Sequence, residues 1–265
     1  MSIAVIEKDL TPETITFLGT GGARIMVATQ ILASGGMWLN LSGTEILIDP
    51  GPGCIVQSTK RKLRAEKLSA IILSHRHLDH AGDLNVMVEA MTLGGFKPRG
   101  RLFLPADALG NEPVIFSYLK HYLDDIEILE AGKTYAIGDV TFTTPVRHEH
   151  AVETYGLRFK TRQHTFSYIA DTRYFAGLAK SYDGELIIIN IVFNEPRPNV
   201  AHLSAADAGR LISEIKPKTA ILTHFGMSMW RARPWKVAEQ LSKETGIRVI
   251  SARDGMKFDL ARLEG

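Results

Sequence analysis

Short apolar runs, many of them rich in β-branched residues, recur along the chain and are bounded by glycine, aspartate or proline. Runs of this length and composition are typical of strands that are buried in a sheet. They predict strands at 15–18, 45–48, 70–73, 140–143, 157–159, 166–169, 186–193, 220–222 and 249–250.

Two segments between the early and late strands repeat apolar residues at helical spacing. The segment 84–91 places Leu, Met, Val and Met at i, i+3, i+4 and i+7, which gives one apolar stripe. The segment 115–122 repeats this spacing and follows Pro113, a residue that suits the first turn of a helix. Both segments are therefore predicted to be amphipathic helices.

Two further helices are predicted in the last quarter of the chain. Apolar residues at 211–215 mark one of them, and the pair Ser204 and Asp207 resembles its N-terminal capping box. The other extends from about Pro234 to Gly246, because proline suits a first turn and glycine commonly ends a helix.

This order of elements, strands and then helices repeated twice, favours an α/β fold in which two sheets pack face to face with helices outside. The sequence contains no linker rich in Pro, Gly or Ser, no internal repeat and no low-complexity tract. We therefore expect a single domain over residues 1–265.

Composition is that of an ordinary globular protein, with 45% hydrophobic and 23% charged residues. The net charge of +2 is too small to indicate nucleic acid or a membrane by itself. Cys54 is the single cysteine, which excludes an internal disulfide and favours a reducing compartment. The first ten residues lack a secretory signal pattern, and the apolar run at 186–193 is too short to span a bilayer. The sequence thus predicts a cytoplasmic protein without membrane contact.

The most informative segment is Ser74-His75-Arg76-His77-Leu78-Asp79-His80, between the strand predicted at 70–73 and the helix predicted to begin near Asp83. It places three histidines and a carboxylate at the carboxyl end of a buried strand, where ligands of open α/β sheets bind. Neutral imidazole and carboxylate are common ligands of zinc and similar divalent ions. In an extended segment the side chains of His75 and His77 point to the same side and can bind one ion. Asp79 and His80 follow where the chain turns into the helix, so they can face a second ion next to the first.

This His-x-His-x-Asp-His pattern resembles the signature of the metallo-β-lactamase superfamily. The resemblance covers nearly the whole chain and implies a four-layer αβ/βα sandwich. Within the superfamily the chain is most similar to ribonuclease Z and the related phosphodiesterases. The matching segments are 18–22 (LGTGG), 47–51 (LIDPG), 167–172 (SYIADT), 202–205 (HLSA), 222–226 (LTHFG) and 254–256 (DGM).

The resemblance also implies a pair of divalent ions, zinc by preference and manganese or iron(II) as alternatives. It assigns one ion to His75, His77, Asp171 and one histidine of the pair at 148 and 150. It assigns the other ion to Asp79, His80, His224 and Asp171, so that Asp171 bridges both.

The choice between His148 and His150 rests on spacing. In the related enzymes this ligand lies five residues before an aromatic-glycine pair, and Tyr155-Gly156 satisfies that spacing for His150 only. We therefore predict His150 as the ligand and His148 as an outer or substrate contact, although the sequence leaves both open.

The chemistry implied is hydrolysis by a hydroxide held between the two ions. His202 would contact the scissile phosphate or protonate the leaving oxygen, and Asp79 could act as both ligand and proton acceptor. A phosphodiester is the favoured substrate. Hydrolysis of a lactone, thioester or other carboxyl ester is the alternative, since it would use the same metal centre.

One departure from ribonuclease Z concerns the protruding arm that the enzymes processing transfer RNA carry before the bridging aspartate. Only two strands and a turn fit between His150 and Asp171, so the arm is absent and a small phosphodiester is favoured over transfer RNA. The basic run from Lys60 to Lys67 could contact nucleic acid, but it lacks aromatic neighbours and reads as a solvated face. A homo-oligomer is compatible with the sequence.

The remaining candidates are predicted to have structural roles. Asp49 is expected to accept a hydrogen bond from a ligand histidine. His121 and His164 are expected at the surface, and Cys54 as a small buried thiol. Arg173 could bind an anionic substrate, but pairing with a surface carboxylate is the simpler expectation.

Overall fold

The structure, a computed structural model, describes residues 12–263. The first ten residues, on which the prediction of no secretory signal rests, lie outside this range. Within it, the chain forms two 7-stranded sheets. The strands of the first sheet are β1 (Thr14–Phe17), β2 (Met37–Leu41), β3 (Thr44–Ile48), β4 (Leu68–Ile72), β5 (Arg101–Leu104), β6 (Asp125–Ile128) and β14 (Lys257–Asp259). Those of the second are β7 (Thr134–Ile137), β8 (Val140–Thr143), β9 (Leu157–Lys160), β10 (Thr165–Ile169), β11 (Leu186–Asn190), β12 (Thr219–Thr223) and β13 (Arg248–Ser251).

The strand order is β14-β1-β2-β3-β4-β5-β6 in the first sheet and β13-β12-β11-β10-β9-β8-β7 in the second. Side chains of a strand alternate between its two faces, and strands of both sheets bury apolar side chains on both faces. In β3, Ile46 and Ile48 belong to the apolar cluster between the sheets, whereas Leu47 packs on the outer side. In β11, Ile188 faces the inner cluster and Ile187 the outer one. Strands buried on both faces therefore read as continuous apolar runs.

The helices cover the outer faces. They are α1 (Arg24–Thr29), α2 (Cys54–Lys60), α3 (Leu78–Ala81), α4 (Leu84–Met91), α5 (Ala205–Ile215), α6 (Met227–Arg231) and α7 (Pro234–Thr245). Short 3-10 helices occupy Ala65–Lys67, Ala106–Leu109, Ser117–Tyr122, Ala179–Ser181 and Leu260–Leu263. The apolar stripe of α4 packs on the first sheet, and α5 and α7 pack on the second. The predicted four-layer αβ/βα sandwich is confirmed.

Local signals placed the ends of two helices correctly. The Ser204 side chain accepts from the backbone N–H of Asp207, whose carboxylate accepts from the backbone N–H of Ser204, so the capping box at the start of α5 is formed. Helix α7 begins at Pro234 and is followed by Gly246 with a φ of 70°. This left-handed conformation favours glycine and explains why the helix ends there.

Two predicted elements differ in the structure. The segment 115–122 is a 3-10 helix over Ser117–Tyr122 rather than an α-helix. The Asn85 side chain bonds the carbonyl of Val114 and the N–H of Phe116, which holds this stretch extended and prevents an earlier helix start. The strand predicted at 186–193 ends at Asn190, because its partner β12 ends at Thr223, directly opposite.

The prediction of His164 as a surface residue is wrong. Its side chain is buried in the turn between β9 and β10, and Nδ1 lies 3.4 Å from a carboxylate oxygen of Glu185. The turn is closed by Thr161, whose hydroxyl accepts from the backbone N–H of His164 and thereby directs the imidazole inward.

The topology brings several strand ends to one edge of the sandwich. Strands β3 and β4 are parallel in the first sheet, and β10, β11 and β12 are parallel in the second. The segments that follow β4, β10 and β12 carry His75–His80, Asp171 and His224. Since the carboxyl ends of parallel strands meet at the same edge, residues far apart in sequence converge there. Within 12–263 no helix has the length and apolar character needed to cross a membrane.

Candidate metal centre

The segment after β4 supplies the first histidines. It runs extended through His75 and turns into helix α3, which His77 immediately precedes. His75 is fully buried, and its ring centroid lies 4.8 Å from that of His77 and 4.1 Å from that of His80. The extended stretch and the helical turn thus direct three imidazoles into one place.

His75, His77 and His150 form one group of potential ligands, whose ligand atoms lie within 4.8 Å of one another. His150 Nε2 is 3.1 Å from His77 Nδ1. His148 lies elsewhere: it is buried, with Nε2 2.6 Å from the Tyr182 hydroxyl and Nδ1 3.2 Å from the carbonyl oxygen of Asp171. The structure therefore groups His150, and not His148, with the two histidines of the signature.

Asp79, His80 and His224 form a second group. His224 Nε2 lies 2.9 Å from His80 Nε2 and 3.3 Å from Asp79 Oδ2. The same Asp79 oxygen accepts from the backbone N–H of Ala23 at 2.9 Å, which fixes the side chain.

Asp171 lies between the two groups. Its Oδ2 is 3.9 Å from His75 Nε2 and 3.6 Å from His80 Nε2, and its Oδ1 is 3.4 Å from His224 Nδ1. His202 Nδ1 lies 3.4 Å from Asp171 Oδ2, and His202 and Asp171 both line an open cleft above the cluster. One buried carboxylate therefore contacts histidines of both groups, and a further histidine lies next to it.

Burial sets the protonation of three of these imidazoles. It lowers the pKa of His75 and His77, and it lowers the pKa of His202 to about 4. These rings are neutral near pH 7, which is the form that binds a metal ion. Burial opposes ionisation of Asp171, but the nearby histidines outweigh it and hold its pKa well below the usual range. The neutral rings of His75, His77 and His202 therefore lie near a charged carboxylate.

His80 differs from the other imidazoles. Burial alone would lower its pKa, but Asp49, Asp79 and Asp171 outweigh burial and raise it well above the usual range. Three carboxylates around one buried ring make a site with a strong demand for positive charge. A divalent cation would meet that demand and leave His80 neutral, as a ligand must be.

Two buried nitrogen atoms show the same need for a partner. His75 Nε2 and His224 Nδ1 have no hydrogen-bond partner, although carboxylate oxygens of Asp171 lie 3.9 and 3.4 Å away. Leaving such atoms unsatisfied is costly, and groups of this kind in proteins call for an unseen ion or water. Nitrogen and oxygen donors without thiolate suit zinc, manganese or iron(II). The residues present therefore fit divalent metal ions.

Asp49 holds the ligands from outside the cluster. It follows β3 with a φ of 52°, a left-handed conformation that is uncommon for aspartate. Its Oδ2 lies 3.0 Å from His80 Nδ1, and its two carboxylate oxygens accept from the backbone N–H and the hydroxyl of Ser74. A proton on His80 Nδ1 leaves Nε2 facing the cluster. This contact is the one predicted for Asp49.

Sequence reasoning missed Asn190. Its side-chain amide donates to Asp171 Oδ1 at 2.9 Å and to the Tyr168 hydroxyl at 3.0 Å, and Tyr168 donates to Asp49 Oδ2 at 2.9 Å. These bonds join Asp171 to the carboxylate that orients His80. A signal was available, since Asn190 is the polar last residue of an otherwise apolar strand whose carboxyl end faces the site. Tyr182, the partner of His148, carried no such signal.

The loop after β1 closes against His224. Asp254 accepts from the backbone N–H of Thr20 and of Ala33, at 2.9 and 2.8 Å, so both ends of the loop are fixed. A Cβ atom at Gly22 would lie 2.2 Å from the His224 ring. His224 itself has a φ of 63°. Only glycine allows the loop to approach the imidazole this closely.

The other candidates lie outside the cluster. His121 is exposed. Arg173 lies 3.8 Å from Glu149, with both side chains about half exposed, and it also lines the cleft above the cluster. Cys54 is fully buried, and burial, assisted by Asp83, raises its pKa well above the usual range. The basic run at 60–67 does not line this cleft.

Two facing sheets with outer helices, and a histidine and aspartate cluster where the strands end, define the class of the molecule as a metallo-β-lactamase fold. A family profile described as the beta-lactamase superfamily domain matches residues 44–225, well over half of the chain. The chain therefore belongs to the beta-lactamase superfamily. It is a metallo-hydrolase of that superfamily, for which the family implies divalent metal ions.

Individual relatives agree with this assignment. The chain is 34% identical to MJ1374, an uncharacterized protein of Methanocaldococcus jannaschii, over 93% of this chain and 94% of the relative. It is 26% identical to the probable metallo-hydrolase YhfI of Bacillus subtilis over 72% of this chain and 80% of the relative. The crystal structure of YhfI matches with a TM-score of 0.78 at 23% identity, covering 94% of this chain and 100% of that one.

A ribonuclease Z is also among the relatives. That of Methanopyrus kandleri is 28% identical over 55% of this chain and 49% of its own length. The predicted resemblance to the superfamily, with ribonuclease Z among its relatives, is confirmed.

Proposed function

We propose that this protein is a phosphodiester hydrolase with a dinuclear metal centre. The observation that carries the proposal is the position of Asp171, which contacts histidines of two separate ligand groups. A single ion would need only one of these groups, whereas two groups that share a carboxylate suit a pair of ions.

The residues are assigned to the two ions by the groups that their ligand atoms form, and a further group of His75, His80 and Asp171 connects the two. His75, His77 and His150 would hold one ion, Asp79, His80 and His224 the other, and Asp171 would serve both. When bound, divalent ions of this kind, zinc by preference, lower the pKa of coordinated water and stabilise negative charge on the group under attack.

His202 and Asp79 are the proposed catalytic residues, since both line the cleft next to the ligand groups. With a pKa near 4, His202 is neutral before substrate binds. A phosphodiester beside the ring would favour its protonated form, so substrate binding would prepare His202 to donate a proton to the leaving oxygen. Asp79 is ionised, because His80 and His224 overcome the effect of burial and lower its pKa, so its carboxylate can accept a hydrogen bond from the attacking water and orient it.

Two observations favour a small phosphodiester. Ribonuclease Z, a phosphodiester-cleaving enzyme by name, is among the relatives. The space between His150 and Asp171 is taken up by β9, β10 and their turn, which leaves no room for a protruding arm. A substrate smaller than transfer RNA fits this chain better.

The test compares hydrolysis of bis(p-nitrophenyl) phosphate with hydrolysis of a panel of lactones and thioesters by the metal-loaded protein. We expect turnover of the phosphodiester, and a fall in kcat of about 100-fold or more in His202→Ala. His121→Ala, an exposed histidine outside the cleft, is the matched control and should behave as wild type. Turnover of the lactones or thioesters alone would replace the proposal with carboxyl-ester hydrolysis, and equal activity of the two variants would remove His202 from the mechanism.

A further inference from the structure

An open cleft of about 1300 Å³ lies above the ligand groups, and His77, Asp79, His150, Asp171 and His202 form its floor. Pockets for drug-sized molecules commonly measure about 300–1,000 Å³. The cleft can therefore hold more than the phosphodiester group that reacts at its floor.

Arginine is the charged residue that dominates the walls. Five arginines line the cleft, whereas Asp79 and Asp171 are its only carboxylates among residues 12–263, and both belong to the proposed metal centre. The walls outside the centre therefore carry positive charge alone, although the net charge of the whole chain is only +2. The five are Arg24, Arg76, Arg173, Arg197 and Arg231.

Three of these arginines are not neutralised by the protein. Arg76 lies 3.5 Å from Asp107, and Arg173 lies 3.8 Å from Glu149. In contrast, no carboxylate of the described chain lies within 4 Å of the guanidinium groups of Arg24, Arg197 or Arg231. Unpaired guanidinium groups on a concave surface are a common means by which proteins bind phosphate.

Arg197 is positioned more firmly than the other two. Its guanidinium lies over the Phe193 ring at 4.6 Å from the centroid. The Phe193 ring is in turn 6.1 Å from that of His202, the proposed catalytic histidine. Stacking on an aromatic ring restricts a long side chain. Arg197 is thus held one aromatic ring away from the reacting group.

Apolar side chains also line the cleft. Ile25, Val27, Val200 and Met227 line the cleft, and Ile25 is 63% exposed to solvent. Exposed apolar surface inside a charged cleft favours a ligand with an apolar or aromatic part.

The backbone N–H of Asn194 donates to the Ser228 hydroxyl at 3.3 Å, so the segment that leads to Arg197 contacts the helix that ends at Arg231. We infer that the cleft selects phosphodiesters that carry a second phosphate group, bound by Arg197 and Arg231, next to a sugar or base that lies on the apolar wall. This inference rests on the proposed function for the reaction itself. It assigns the second phosphate to residues outside the metal centre, so binding can be tested without turnover.

The first experiment measures binding by calorimetry to the metal-loaded protein. The probes are thymidine 3′,5′-bisphosphate and thymidine 5′-monophosphate, which differ only in the second phosphate. A charge-assisted contact changes affinity by about tenfold or more. We expect the bisphosphate to bind at least about tenfold more tightly. Arg197→Ala and Arg231→Ala should each reduce this preference, while Arg248→Ala, an exposed arginine on β13 outside the cleft, should leave it unchanged.

Equal affinity for the two probes, or a preference that survives both cleft variants, would overturn the inference. An equal loss in Arg248→Ala would also overturn it, because the effect would then reflect general charge.

A second experiment separates the inference from the proposed function. It measures KM for the p-nitrophenyl ester of thymidine 5′-phosphate with and without a 3′-phosphate. A lower KM for the 3′-phosphorylated ester, lost in Arg197→Ala, supports both. Hydrolysis of both esters with the same KM contradicts the inference alone. Tighter, arginine-dependent binding of the bisphosphate without any ester hydrolysis contradicts the proposed function alone.

Discussion

Replacing Tyr168 with phenylalanine tests whether the hydrogen bonds behind the cluster hold the ligands in place. Burial, reinforced by Asp49 and Asp171, raises the pKa of the Tyr168 hydroxyl well above its usual range, so the hydroxyl keeps its proton and donates to Asp49. It also accepts from Asn190, which donates to Asp171. The substitution therefore removes the link between the carboxylate that orients His80 and the carboxylate shared by both ligand groups.

The magnitude follows from the two bonds that are lost. A buried hydrogen bond contributes about 1 kcal/mol to the free energy of unfolding, and one to a charged group about 1.5–3 kcal/mol. We expect a loss of about 2.5–4 kcal/mol in the free energy of unfolding, measured in urea. Loss of a residue that supports metal ligands weakens metal binding by about 10–100-fold, which competition with a chromogenic chelator measures.

Tyr135→Phe is the matched control. Tyr135 is as buried as Tyr168, and its hydroxyl also makes two hydrogen bonds, donating to the carbonyl of Ile128 and accepting from the backbone N–H of Glu130. It lies in the core between the sheets, away from the cluster. This variant should lose stability but keep the metal affinity of wild type. Equal metal affinity of the two variants would refute the reasoning.

Three further predictions concern the loop, the thiol and the metal. Gly22→Ala should keep the far-UV circular dichroism spectrum of wild type but lose about 100-fold in kcat/KM, because the new Cβ displaces His224. Full activity of this variant would show that the position of the His224 ring is not critical. Cys54 should not react with Ellman's reagent until the protein is unfolded in urea, since burial keeps the thiol protonated. Chelation of the metal should lower Tm by about 5 °C or more, because Asp49, Asp79 and Asp171 lose their counter-charge, and added zinc should restore it. An unchanged Tm would count against a buried cation.

The sequence predicted those parts of the fold in which local pattern and environment agree. Strand β11 lies buried on both faces, and an uninterrupted apolar run is the natural pattern for such a strand. Five strands were missed, and two of them, β2 and β5, are mostly buried and apolar, like the strands that were predicted. The other three are less distinctive. In β6 the charged residues Asp125 and Glu127 alternate with isoleucines, and in β7 the side chains of Thr134 and Ala136 are exposed. Strand β14 has only 3 residues, and its pairing with β1 joins the two ends of the chain.

The 3-10 helix at Ser117–Tyr122 shows how tertiary contacts override spacing. Ile115 and Leu119 are buried as the pattern requires, but Tyr118 is exposed, and the Asn85 side chain prevents an α-helix from starting at Ile115. No local pattern could reveal that contact, because Asn85 belongs to a different helix. His164 is a similar case, since its imidazole contacts Glu185, a residue 21 positions further along the chain.

For the candidate site, the signature segment was informative because four potential ligands fall within six positions. Asp171 and His224 could be chosen only by resemblance, since single residues at strand ends carry little information. The residues that hold the metal ligands in position were the hardest to predict. Asn190 and Asp171 are 19 positions apart, and Gly22 and His224 are 202 positions apart, so only the folded structure brings each pair together.

The most direct test of the central claim is the metal content of the purified protein, measured by elemental mass spectrometry after reconstitution and removal of excess metal. Two ligand groups that share Asp171 predict two divalent ions per chain. Asp171→Ala should retain fewer than two, because both groups lose the same ligand. A wild-type content of one ion or none, or two ions retained with unchanged affinity in Asp171→Ala, would contradict the account.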